Sequence, residues 1–325
     1  TLTRDSSDSF YISRHQFSYN GKSYNRYGIT GCIRLGGSSN NGIITHEHTA
    51  PKPRHDRLVH LQCTQANISP IMGLYRDKDS TLTDLMLRVS QNNPCSHAKL
   101  SDNEEIIVWK IDKVTDLSMI QSIFESRKVH LADGHHRYGA MLQYQKLAQK
   151  TPIQSNLDQA SNFIMITLIP FDDPGLLLLP YHRLLQNISP EVQYQLDCNI
   201  ENNFQAVSVV PLDPGSVEHS VKIVNELLRI SNNDGIVQIQ EMKATLLEPN
   251  QSSKSLEPTL DQNNRVVTTT LSWILNESVL KPALGSRYDA TLRYEHEIAL
   301  IIDAIFKKSS DLGFIMKPLT LTTFE

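Results

Sequence analysis

The chain is short of cysteine, of long apolar runs and of clustered basic residues, and each shortage closes a class of function. Only Cys32, Cys63, Cys95 and Cys198 occur in 325 residues, far apart and never as a CxxC pair. Thiolate zinc sites and secreted disulfide frameworks need closer or denser cysteines, so these four read as small buried hydrophobes in a reducing compartment. No stretch approaches the ~20 apolar residues of a membrane-spanning helix. The opening TLTRDSSDSF has no hydrophobic signal core. It has no initiating Met either, so a piece of a longer, cytoplasmic chain is expected. Basic residues are adjacent at most in pairs and the formal net charge is −4. Duplex nucleic acid calls for a basic stripe, so neither a nucleic-acid nor a membrane partner is expected.

What is present is ordinary folding material, 39% hydrophobic and 20% charged residues, enough for one large domain or two. Aromatic and β-branched residues flank Asn20-Gly21, a strong hairpin signal. Helical spacing follows over 53–66, then a strand at 69–75 and a helix at 81–91 with Thr81 or Thr83 as its cap. A strand at 105–111, a helix from an Asp116 cap to 127, the strand VHLAD and a helix to 150 complete an alternating series. The runs 161–171 and 176–180 read as buried strands joined by the turn Asp172-Asp173-Pro174-Gly175, the first of them central in its sheet. Helices are expected at 190–204, 214–230, 270–285 and 294–307, and strands at 207–210, 236–247 and 313–318. The stretch 248–264 is polar and reads as a loop or hairpin tip. The class is α+β with a mixed sheet, read either as two parts, 1–155 and 156–325, or as one integrated domain.

The stretch ADGHHRYG (132–139) carries the densest chemistry. A strand ends at Asp133, Gly134 allows a tight turn, and a helix starts at once. The first N–H groups of a helix lack intrahelical partners and attract anions. His135, His136 and Arg137 add donors there, and a guanidinium suits phosphate. Asp133 could orient a histidine, hold Mg²⁺ or cap the helix, and an Asp-capped helix with exposed histidines is the plainer alternative. A second cluster, His46-Glu47-His48-Thr49, is either a polar loop or a metal or base site, with His55 and Asp56 close downstream. It is not an HExxH zinc-protease helix, because its histidines are two apart. His182-Arg183 reads as an anion contact or as a snorkelling pair. Asn67 and Ser69 read as ordinary turn chemistry.

Three segments in one order, THEHTAPKPRHDRLVHLQCTQANISPIMGLYRD (45–77), ADGHHRYGAMLQY (132–144) and IMITLIPFDDPGLLLLPYHRLL (164–185), resemble the domain-of-unknown-function family 1015 of bacteria and archaea. The chain departs from the family pattern at His48, Gly139, Met141 and Tyr181, and both ends look shortened relative to it. The DGHHR motif also resembles that of free serine kinases in the ParB/sulfiredoxin-like superfamily. That resemblance implies a ParB/sulfiredoxin-like nucleotide-binding core elaborated by further α/β elements. It implies ATP or ADP, with Mg²⁺, held at Gly134, His135, His136 and Arg137, and phosphorylation of free serine or a related small polar metabolite. Glu47 and Asp133 are then the expected catalytic residues, and His46, Thr49, His182 and Arg183 the expected substrate contacts. The residues leave two other readings open, a nucleotide-binding regulatory module without turnover and a metal-dependent hydrolase on His46, His48, His55 and Asp56 with His135 and His136. Metal and oligomeric state stay unassigned.

Overall fold

The computed structural model describes residues 4–19, 21–36, 42–45, 51–149, 160–231, 235–250, 259–260, 266–267 and 270–318. The chain divides into two compact units, Thr1–Leu177 and Leu178–Phe324. The division falls later than the expected 155/156 because the strand after it belongs to the first unit's sheet. That strand, β8 (Phe163–Pro170), sits fourth in the eight-strand order β3-β7-β4-β8-β2-β1-β6-β5, with a neighbour on each side.

The first sheet is mixed. β1 (Phe10–Tyr19) and β2 (Lys22–Arg34) form the hairpin expected at Asn20-Gly21. β3 (Ile43–Ile44) runs parallel to β7 (Val129–Asp133), and β4 (Ile71–Tyr75) runs parallel to β8 but antiparallel to β7. β6 (Glu104–Ile111) extends the hairpin, and β5 (Ser96–Ser101) closes the edge. Side chains alternate across a strand, so Ile12, Ile29, Trp109 and Leu168, which face one another in register, share one face. The helices α1 (Pro51–Thr64), α2 (Thr81–Val89), α3 (Val114–Ser126) and α4 (His135–Gln149) pack on that face through Leu61, Met86, Ile120 and Met141.

The expected caps are corrected. Neither Thr81 nor Thr83 caps α2. Buried Asp77 does so from outside the helix, accepting from the Thr83 N–H and hydroxyl, both at 2.8 Å, while it pairs with Arg127 at 3.2 Å. α3 begins at Val114 after Lys113, so Asp116 lies inside the first turn and pairs with Arg88 at 3.0 Å. Cys32, Cys63 and Cys95 are exposed rather than buried; Cys32 pairs with Met165 on the face away from the helices.

The second unit is built on an antiparallel sheet of order β10-β12-β11-β16-β9-β15. Its strands are β9 (His182–Leu185), β10 (Phe204–Pro211), β11 (Ile236–Gln240), β12 (Lys243–Pro249), β15 (Leu292–Glu295) and β16 (Leu312–Met316). A two-stranded ribbon pairs β13 (Thr259–Leu260), inside the expected polar stretch, with β14 (Val266–Val267), just beyond it. α5 (Pro190–Asn203) and the helical turns over 271–284 cover one face through Leu196, Ile200, Leu275 and Leu280. α6 (Val217–Ile230) and α7 (Ile298–Phe306) cover the other through Val224, Leu228, Ile301 and Ile302. The run 176–180 is not a strand. The chain enters the sheet only at His182, beyond Pro180, whose missing N–H cannot join a ladder. Tyr294 likewise belongs to β15, and the helix begins four residues later. No described helix is long and apolar enough to cross a membrane.

Candidate functional site

The DGHHR segment forms the strand, glycine, helix turn that its residues imply. Between β7 and β4 the register steps from Leu131↔Gly73 to Asp133↔Met72, so Ala132 is an extra residue on β7. A bulge of this kind re-aims the side chain that follows it, here Asp133. Gly134 has φ +94, and a Cβ on it would meet Ile71 Cγ2 at 2.6 Å. Glycine is therefore required on two counts, conformation and space. α4 starts at the next residue.

Arg137, one turn into α4, is held on three sides. Its Nη2 donates to Asp133 Oδ2 at 2.5 Å, and its Nη1 donates to Ser69 Oγ at 3.1 Å and to the Pro70 carbonyl. The guanidinium thus ties the turn to the chain entering β4. His135 is buried. Nδ1 of His136 is buried too and makes no hydrogen bond among the described residues. Burial pushes the Tyr138 hydroxyl's pKa upward.

Beside this turn a cleft of about 280 Å³ opens between α1, the segment leading to β4, and α4. Its polar lining is Arg57, His60, Asn67, Ser69 and Arg137, and its floor includes Leu61, Met141 and Ile164. Among the described residues no carboxylate lines it. Arg57 and His60 are three apart on α1 and so share a helix face. Neither stands out from the sequence alone, although Arg and His occur at that spacing in RHDRLVH, and Asn67 and Ser69 read as turn residues only.

The other expected residues fall in two groups. His46, Glu47 and Thr49, with His48, lie outside the described residues. β3 ends at Ile44 and pairs parallel with β7, Ile44 opposite His130. Both strands therefore leave the sheet at the same end, where the DGHHR turn stands. His182 and Arg183 belong to the second unit, and both are buried there. His182 Nδ1 accepts from the Met316 N–H at 3.2 Å. Burial, with His296 and Arg183 nearby, lowers its pKa to about 4. Arg183 donates to Ser272 Oγ at 2.6 Å and lies over the Tyr294 ring. Both are thus built into their own unit's framework. His55 and Asp56 stand exposed on α1, and among the described residues no three His, Cys, Asp or Glu side chains gather as a metal would require.

Two α/β units, one carrying a bulged strand, a glycine turn and a cation-lined cleft at a helix start, define the class of protein. Residues 1–271 match the family described as "Protein of unknown function (DUF1015)", and the chain belongs to that family. No curated protein matches the chain. Among solved structures, it is similar to a conserved hypothetical protein from Pyrococcus furiosus, at 12% identity and TM-score 0.44, over 91% of this chain and 82% of that one. It is also similar to a free serine kinase in complex with AMP, at 11% identity and TM-score 0.45, over 91% and 79% of the two chains. A mutant of a free serine kinase in complex with ADP gives 11% and 0.44, over 91% and 80%.

Proposed function

We propose that the protein binds the phosphates of ATP or ADP in the cleft beside the DGHHR turn and passes a phosphoryl group to the hydroxyl of a small polar metabolite such as free serine. One observation carries the reading: the cationic side chains Arg57 and Arg137 converge with His60 on one cleft, and no carboxylate lines it among the described residues. Such a site favours an anion, and the start of α4 adds the positive end of a helix dipole beside it. The volume of about 280 Å³ lies just under the usual ~300–1,000 Å³ of small-molecule sites. It therefore takes the phosphates and part of what they are joined to. The likeness of the DGHHR motif to that of free serine kinases points the same way.

Phosphoryl transfer needs charge neutralisation and a group that accepts the attacking hydroxyl's proton. In this reading the acceptor oxygen bonds to the terminal phosphorus. The bond from that phosphorus to the nucleotide's bridging oxygen breaks, and the hydroxyl proton passes to Glu47. Asp133 holds Arg137 in place. A Mg²⁺ ion arriving with the nucleotide would neutralise phosphate charge, and Asp133 is the carboxylate of the DGHHR turn that would hold it.

The test is incubation of the full chain with ATP or ADP and a panel of hydroxyl-bearing metabolites, serine included, followed by ³¹P NMR of the products. Phosphoserine, or another phosphomonoester that disappears in Glu47→Gln, is the expected result. Nucleotide binding without any phosphorylated product would leave a regulatory nucleotide-binding module instead.

A further inference from the structure

A second cavity, of about 200 Å³, opens on the opposite face of the first sheet. Ser13, His15, Arg26, Met72, Ile106 and Thr167 are among its lining residues. The register puts them on one face: Arg26 is opposite His15, His15 opposite Ile106, and Met72 opposite Thr167. Ile12, Ile29 and Leu168, the alternate residues of the same strands, form the core beneath the helices.

Arg26 carries a charge there that no carboxylate pairs among the described residues. Its Nη2 donates to His15 Nδ1 at 3.0 Å, and His15 Nε2 is 2.8 Å from Glu104 Oε1. A guanidinium can only donate, so Nδ1 is the acceptor and Nε2 carries the ring proton. His15 is therefore neutral and stands between Arg26 and Glu104. Asp173 is near enough to favour the Arg26 cation, but its carboxylate accepts from the backbone N–H groups of Tyr27 at 3.1 Å and Gly175 at 2.8 Å. Glu105 is paired with Arg14 and His97. Burial pushes the Arg26 pKa down, and the Asp173 charge only partly offsets it. The Ser13 hydroxyl also makes no hydrogen bond among the described residues, and the Thr167 hydroxyl meets only Thr30, at 2.8 Å.

We propose that this cavity binds a small carboxylate, its planar head on the Arg26 fork, its polar substituent on Ser13 and Thr167, and its carbon chain against Met72 and Ile106. A carboxylate matches the planar Arg26 fork with a single negative charge, whereas a phosphate dianion would add two beside Glu104 and Asp173. About 200 Å³ is room for roughly seven waters at ~30 Å³ each. That suits an acid of a few carbons and excludes a nucleotide. The site does not rest on the phosphate cleft, which lies on the other face.

Calorimetry on the full chain with sodium acetate, L-lactate, L-serine and inorganic phosphate tests the assignment, with hydrogen exchange to locate the ligand. Saturable binding of lactate or serine is expected, with protection over 13–15, 26–28 and 165–169. Arg26→Gln should weaken that binding about tenfold or more, the loss of a charge-assisted pair, and leave ADP affinity unchanged. Should Arg26→Gln fail to fold, Ser13→Ala and Thr167→Val carry the test through a several-fold loss each. No carboxylate binding to the folded chain, binding indifferent to these substitutions, or phosphate held as tightly as lactate over the same residues would overturn the proposal.

Discussion

Replacing Gly134 by alanine tests the geometry on which the proposed phosphate site depends. The residue sits at φ +94, and its new Cβ would stand 2.6 Å from Ile71 Cγ2, 2.9 Å from Ile71 Cβ and 3.2 Å from Arg137 Nη2. Left-handed backbone costs an L-residue about 1–2 kcal/mol. Forcing a methyl against a packed, β-branched side chain adds about 1–3 kcal/mol, because Ile71 is buried and its Cβ cannot swing aside. The expected loss is about 2–5 kcal/mol, read as a shift of the urea midpoint at constant slope. Two glycines of the same unit separate the contributions. Gly21 has φ +72 and open space around it, so Gly21→Ala should lose only the backbone part. Gly42 has neither positive φ nor a close neighbour, so Gly42→Ala should stay within ~0.5 kcal/mol of the parent. Gly134→Ala as stable as Gly42→Ala would refute the strand, glycine, helix geometry.

Other outcomes follow from single groups. Asp77→Ala removes the cap of α2 and the partner of Arg127 together, and chemical unfolding should show a loss of about 2–4 kcal/mol; a change under ~0.5 kcal/mol would contradict that role. His182 has a folded pKa of about 4 against 6.5, so below pH 6.5 the unfolded chain binds the extra proton. Stability of the second unit should therefore fall as pH drops from about 6.5 to about 4, by up to about 3 kcal/mol. His182→Asn should flatten that dependence, and an unchanged pH profile would count against it. Arg57→Ala, on an exposed helix face, should leave the unfolding midpoint in place while weakening ADP binding several-fold. Equal ADP affinity in calorimetry would remove Arg57 from the site.

The strands and helices of the first unit were legible where local chemistry and period agreed, as at Asn20-Gly21 and at VHLAD followed by Gly134. The misreadings have physical reasons. Residues 176–180 are as apolar as a core strand, and an apolar run alone does not state whether a neighbour is available to pair. β5 is exposed along its whole length, so no hydrophobic alternation announces it; only its pairing with β6 makes it a strand. Tyr294 pairs with Arg183 in β15, a partner more than a hundred positions away that no helical pattern reveals. The DGHHR turn could be read as an anion site because glycine, helix start and basic residues are contiguous. The cleft beside it could not, because Arg57 and His60 join it only when α1 packs on α4. Arg26 was hidden more deeply still, since its isolation depends on which residues β1 and β2 set opposite one another.

ADP titrated into the full chain and into Arg57→Ala, with binding located by hydrogen exchange, tests the central claim most directly. The account predicts saturable binding, protection over 57–69 and 133–141, and a several-fold weaker variant. ADP that does not bind, or that protects other segments and ignores the substitution, would contradict it.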